Sequence, residues 1–135
     1  MFDNYSYLYV EDDSLSREIM QMIMENVMNI RSFTIFSDSA DFIDKMRQLP
    51  QRPDVIMLDI HVKPYSGFEM LNLLRAEPGY EKLKIIALTA SVMSEEIEKL
   101  RTEGFDGAIG KPLSIQSFPD MMARVLAGEA VWHVV

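Results

Sequence analysis

Cysteine is absent from this chain of 135 residues. Disulfides, thiolate metal sites and cysteine nucleophiles are excluded with it. The absence is compatible with a reducing cytoplasm without requiring one. Long hydrophobic runs are missing too, since no stretch approaches the roughly eighteen apolar residues of a membrane span. The opening MFDNYSYLYV has neither the basic region nor the extended apolar core of a signal peptide. Positive charge is scarce and dispersed: 13 Lys and Arg stand against 21 Asp and Glu, a net charge of -8. Arg47, Arg52 and Lys63 are scattered singly, and no basic patch offers a hold on a nucleic-acid backbone. Linkers, repeats and low-complexity segments are lacking as well. The reading that follows is a soluble, intracellular protein of one domain, with neither direct nucleic-acid binding nor membrane insertion expected.

What is present is ordinary globular material, 48% hydrophobic and 25% charged, long enough to bury a core. Short apolar runs alternate with longer amphipathic stretches. Strands are predicted at Tyr7–Val10, Phe33–Phe36, Val55–Asp59, 85–89 and Gly107–Gly110. Leu15, Ile19, Met22, Ile23 and Val27 fall at helical spacing behind the capping candidates Asp13 and Ser14. A second helix carries Phe42, Ile43, Met46 and Leu49, after Ser37-Asp38 and closed by Arg52-Pro53. A third runs from about Gly67 to Ala76. A fourth begins at Ser94, with Glu95 and Glu96 favouring its dipole, and ends at Gly104. The last covers roughly Ser114 to Ala127, ended by Gly128. Pro119 conflicts with a start at Ser114, so that helix either kinks or restarts with Ser117 as its cap. The eleven methionines are read as core filler. Residues 1–128 form the domain, and 129–135 a tail too apolar for a loose end. With Trp132, that tail packs on the body, meets a partner, or is the stump of a longer protein.

Five strands alternating with five helices imply an α/β, doubly wound, mostly parallel sheet covered on both faces. In such a sheet function collects beyond the carboxyl ends of the strands. Here those ends carry Glu11-Asp12-Asp13, Asp59, Thr89 and, after the fifth strand, Lys111-Pro112. Singly, each is an ordinary cap or a solvated charge. Together, Glu11, Asp12 and Asp59 would converge on one small volume, where like charges raise one another's pKa. A hard divalent cation with oxygen ligands relieves that repulsion, which suggests Mg²⁺. A hydroxyl and an ammonium beside it complete a pocket for a phosphoryl group, with Asp59 as a carboxylate acceptor.

These motifs, "YVEDD", "VIMLD" with Gly67 beyond it, "ALTA" and "GKPL", resemble the receiver domain of two-component response regulators from about Tyr5 to Ala127. The intervals from Asp59 to Thr89 and from Thr89 to Lys111 fit the family's spacing. The resemblance implies a flavodoxin-like sheet of order 2-1-3-4-5. It also implies that Asp59 is the phosphoacceptor for a phosphohistidine on a histidine kinase or phosphotransfer protein. Glu11 and Asp12 correspond to the family's Mg²⁺-holding acids, Asp12 directly and Glu11 through water, and His61 would contribute its backbone carbonyl. Thr89 would bond the phosphoryl group. Lys111 would pair with Asp59 before phosphorylation and with the phosphoryl group after it, and the Lys111-Pro112 bond should be cis. Such a protein catalyses its own phosphorylation and slow dephosphorylation, is not an enzyme acting on a metabolite, and signals to an unknown downstream protein, with homodimer formation allowed.

Three departures stand out. Lys63 occupies the family's usual proline position and Pro64 follows, a local shift of loop shape. Ala108 replaces the strand-five aromatic of many relatives, so output is expected through the loop near Thr89–Met93 or another face. No output domain follows in the sequence, which fits a single-domain regulator or an excised receiver. His61 and Ser91, each two residues past a site residue, are either solvent-facing polarity or tuners of phosphoryl lifetime. Two further functions compete: a receiver-like adaptor that is not phosphorylated, and an aspartyl-phosphate phosphohydrolase. The second would want an acid where His61 stands.

Overall fold

The computed structural model describes residues 2–132. Its centre is a five-stranded parallel sheet of order β2-β1-β3-β4-β5. The strands are β1 (Tyr7–Val10), β2 (Phe33–Phe36), β3 (Val55–Asp59), β4 (Lys84–Thr89) and β5 (Gly107–Gly110). Between and after them lie α1 (Ser14–Met22), α2 (Phe42–Gln48), α3 (Gly67–Ala76), α4 (Ser94–Glu103) and α5 (Phe118–Leu126). The flavodoxin-like order implied by the resemblance is therefore the observed one, and β4 begins one residue earlier than read from the sequence. The inner strands β1 and β3 are buried along their whole length, which is why YLYV and VIML read as unbroken apolar runs rather than as alternation.

Two apolar layers flank the sheet. One packs Leu8, Val10, Ile56 and Leu58 against α2, α3 and α4, and the other packs Tyr7, Tyr9, Val55 and Met57 against α1 and α5. Met20, Met24, Met28, Met46, Met57, Met70, Met121 and Met122 are buried in these layers, as core filler should be. Met93 is the contrast, standing exposed in the β4–α4 loop.

The first helix departs from its expected face. Leu15 is 61% exposed and Val27 42%, whereas Met20, Ile23, Met24 and Met28 turn inward. After Met22 the helix widens into a π segment, Ile23–Val27, in which the Met28 N–H bonds the Ile23 carbonyl. The extra residue per turn shifts the inward position from Val27 to Met28.

At α2, Phe42 and Met46 are buried, but the helix ends at Gln48, ahead of Arg52-Pro53. It is entered through Asp41 in the left-handed region (φ 52), a conformation that Asp tolerates better than most side chains. α4 starts at Ser94 and is closed by Gly104 at φ 113, as expected.

The conflict at Pro119 resolves in favour of a restart. α5 begins at Phe118 with the proline in its first turn, where its missing N–H costs nothing. Ser117 occupies the cap position but its hydroxyl does not cap, and Ser114 Oγ accepts the Ser117 N–H at 3.2 Å.

The tail packs on the body. Val131 is buried, its carbonyl accepts the Ala108 N–H at 2.7 Å, and Trp132 bridges to Ala108 in parallel. The segment thus covers the outer edge of β5, and the Arg101 guanidinium of α4 lies 4.9 Å above the Trp132 ring. The remainder of the predicted tail, 133–135, lies outside the described residues.

Candidate functional site

Parallel register brings the strand ends to one rim: Val10 pairs with Leu58, Asp59 with Leu88, and Thr89 with Gly110. Each chain then leaves the sheet with a polar residue. Glu11, Asp12 and Asp59 converge there, each offering a carboxylate oxygen within 4.8 Å of the others. Asp12 is exposed, while Glu11 is 1% and Asp59 6% exposed. The third acid of the run, Asp13, does separate work. It caps α1, accepting from the Ser16 N–H at 2.9 Å and the Ser16 hydroxyl at 2.7 Å, bonds that lower its pKa.

Lys111 enters from the far side of the rim. Its Nζ lies 2.7 Å from Glu11 Oε1 and 3.2 Å from Asp59 Oδ1, so it is shared between the two and closer to Glu11 than the expected pairing with Asp59 alone. Burial disfavours the ammonium, but the hydrogen bond to Glu11 and the charges of Asp59 and Glu11 outweigh it and raise the Lys111 pKa. The Lys111–Pro112 bond is cis, as expected. For Asp59 the balance runs the other way: burial and the neighbouring Glu11 charge raise its pKa despite the pull of Lys111. One ammonium thus serves two nearly buried carboxylates, and the site has a surplus of negative charge.

Thr89 sits beside this cluster but is turned elsewhere. Its hydroxyl donates to the Ser91 carbonyl at 3.2 Å and accepts the Ser91 N–H at 3.1 Å. His61 is exposed; with Thr89, Ser91 and Phe68 it lines a cleft of about 180 Å³ between the β3–α3 loop and α4. The structure therefore brings Glu11, Asp12, Asp59 and Lys111 together and leaves Thr89 and His61 at the margin.

Two contributors escaped the sequence reading. Tyr9 donates its hydroxyl to Glu11 Oε1 at 2.8 Å in a fully buried bond. Burial, then the Glu11 charge, push the Tyr9 pKa well above its ordinary value, and the phenol stays protonated. The signal was the spacing, because residues two apart on a strand share a face. Ser39, fully buried, is the other. Its N–H donates to the Lys63 carbonyl at 3.1 Å, its hydroxyl to the Tyr65 carbonyl at 2.7 Å, and it accepts the Tyr65 N–H at 2.6 Å. These bonds tie the β3–α3 loop, in which Lys63–Pro64 is also cis, to the loop before α2.

Beyond Asp59, Ser66 and Glu69 form a reciprocal capping box that starts α3. Gly67 then lets that helix approach closely, since a Cβ there would stand 2.9 Å from Ile60 Cδ1 and 3.1 Å from the Asp59 carbonyl oxygen.

With this arrangement established, comparison with known proteins is decisive. The sequence pattern of the response regulator receiver domain matches residues 7–123. The chain belongs to that family. A polar-differentiation response regulator, DivK, of Brucella anthropi is 29% identical over 123 residues, covering 90% of this chain and 95% of that protein. Its counterpart in Brucella ovis is 28% identical over the same length and with the same coverage. The fold is shared with the receiver domain of a sensor histidine kinase from Pseudomonas aeruginosa, whose crystal structure has a magnesium ion coordinated in the active site cleft (TM-score 0.77, 21% identity, 91% of this chain and 98% of that one). It is shared also with the chemotaxis response regulator CheY4 of Vibrio cholerae (TM-score 0.76, 23% identity, 90% and 98%). The protein is thus a two-component receiver. Response regulators are not classical enzymes, and a receiver's phosphoryl source is a histidine kinase system. No helix among the described residues is long and apolar enough to cross a membrane.

Proposed function

We propose that this receiver takes a phosphoryl group from a phosphohistidine onto Asp59, with Mg²⁺ held by Asp12, by Asp59 and, through water, by Glu11. The observation that carries the reading is the convergence of those three carboxylates within 4.8 Å, with the Lys111 ammonium bridging two of them. The donor set fits the ion: it is all oxygen, anionic and partly open through Asp12, as a hard dication requires. Bound there, Mg²⁺ would neutralise charge on the incoming phosphoryl group and on the acids. The His61 backbone carbonyl is assigned as a further oxygen donor, with its imidazole facing the cleft.

The chain's own residues do the rest. An Asp59 carboxylate oxygen attacks phosphorus, the P–O bond forms as the P–N bond to the donor imidazole breaks, and the histidine leaves with its electron pair. Lys111 then exchanges Glu11 Oε1 and Asp59 Oδ1 for a phosphoryl oxygen. Thr89 releases Ser91 and turns its hydroxyl to the phosphoryl group. That turn pulls on the β4–α4 loop at Ser91–Met93, the element through which a downstream protein would read the state, since Ala108 has no ring to move. The donor is a histidine kinase or phosphotransfer protein of the cytoplasm.

The test is incubation with acetyl phosphate, with and without Mg²⁺. Wild type should become phosphorylated only with the ion, and Asp59→Asn not at all. Equal labelling of the two proteins would overturn the assignment.

A further inference from the structure

The Glu11 carboxylate poses a problem that the phosphotransfer reading creates. It is 1% exposed, and its Oε1 accepts two strong donors, Lys111 Nζ at 2.7 Å and the Tyr9 hydroxyl at 2.8 Å. Among the described residues its Oε2 receives only the Asp13 N–H, at 3.4 Å. When Lys111 moves to a phosphoryl oxygen, a buried carboxylate loses its counter-charge. A buried carboxylate oxygen that loses a donor loses the hydrogen bond that orients it.

Tyr9 is placed to prevent that. It lies on β1 two residues before Glu11, so both side chains face the α1 and α5 layer. A protonated phenol beside a carboxylate can only donate. The packing does not need the hydroxyl, because a phenyl ring would fill the same volume. Tyr7, on the same strand and face, shows the ordinary alternative: its hydroxyl spends itself on the Phe2 carbonyl at 3.0 Å, away from the rim.

We propose that Tyr9 is a positioning residue of the phosphorylation site, whose hydroxyl holds the Glu11 carboxylate aimed at the carboxylate cluster while Lys111 is free to follow the phosphoryl group. The inference rests on the phosphotransfer reading above and adds a residue to it. It acts through Glu11 and touches neither ion nor phosphoryl group, so its effect is read on ion binding. Donors to the outer side of metal-site carboxylates influence metal affinity by 10- to 100-fold in general.

The experiment is a Mg²⁺ titration of the full chain, followed by amide NMR shifts around Asp12 and Asp59, in wild type, Tyr9→Phe and Tyr7→Phe. Both variants keep the ring and lose one hydrogen bond, buried at Tyr9 and part-buried at Tyr7. Tyr9→Phe should bind Mg²⁺ about tenfold more weakly, and Tyr7→Phe as wild type does. Unchanged affinity in Tyr9→Phe, or equal weakening in both variants, overturns the role of Tyr9 and leaves the phosphotransfer reading standing. Absence of site-specific Mg²⁺ binding in wild type would overturn that reading, and the role of Tyr9 with it.

Discussion

At the scale of single residues, the site carries a surplus of negative charge. Asp59 carries the consequence. Its folded-state pKa lies above the unfolded value, because burial and the Glu11 charge both favour the neutral form. Between those two values the folded protein binds more protons than the unfolded one, so stability falls as pH rises through that window. Above the folded pKa the penalty is fully present. In EDTA, Asp59→Asn should therefore unfold at higher denaturant than wild type near pH 8. The difference should shrink as pH falls through the folded pKa and vanish below the unfolded one. A variant less stable than wild type at pH 8 would contradict this picture of the carboxylate. The same repulsion explains why Lys111 leans on both acids rather than on Asp59 alone.

At the scale of elements, the site is held by how strands hand over to helices. The α3 entrance is the tightest of these transitions. Gly67 Cα comes so near β3 that an added methyl would press on Ile60 at 2.9 Å and on the Asp59 carbonyl at 3.1 Å. Gly67→Ala should cost about 1–3 kcal/mol, the range for overpacking, and shift the amide resonances of Asp59 and Ile60. A neutral substitution with an undisturbed Asp59 would show that the helix can slide away freely. Much at this scale was legible in the sequence. The strand runs end at acids, threonine and lysine in a fixed order, and local chemistry alone placed those ends. The α1 face was not legible: the period of 3.6 selects Val27, and only the packed helix reveals the widened turn that substitutes Met28. Ser39 escaped because its three hydrogen bonds join loops far apart in sequence. Tyr9 and the Ser66–Glu69 box were readable in principle, since strand alternation and a four-residue cap pattern are both local.

At the scale of the molecule, the most distinctive feature is the segment after α5. An open β5 would present unpaired backbone groups at the sheet edge. Here Val131 and Trp132 lie along it, and Gly107 leaves room for the Val131 carbonyl, which would stand 2.7 Å from a Cβ at that position. Trp132 brings an aromatic ring to the apolar layer beside Ala108, and Arg101 ties it to α4. The segment therefore touches the strand and the helix that follow the Thr89 loop. Val131→Ala should lower unfolding free energy by about 1–2 kcal/mol, the value of burying much of a valine side chain, and speed hydrogen exchange at the Ala108 amide. Unchanged protection at Ala108 would mean that the edge does not depend on this contact.

The central proposal is that a phosphoryl group enters at Asp59 when Mg²⁺ is present. The most direct measurement is site mapping: incubate the protein with acetyl phosphate and Mg²⁺, trap the acyl phosphate by borohydride reduction, and locate the modified residue by peptide mass spectrometry. The account predicts modification at Asp59 alone, abolished by EDTA. Modification at another residue, or full modification of Asp59 in EDTA, would contradict it.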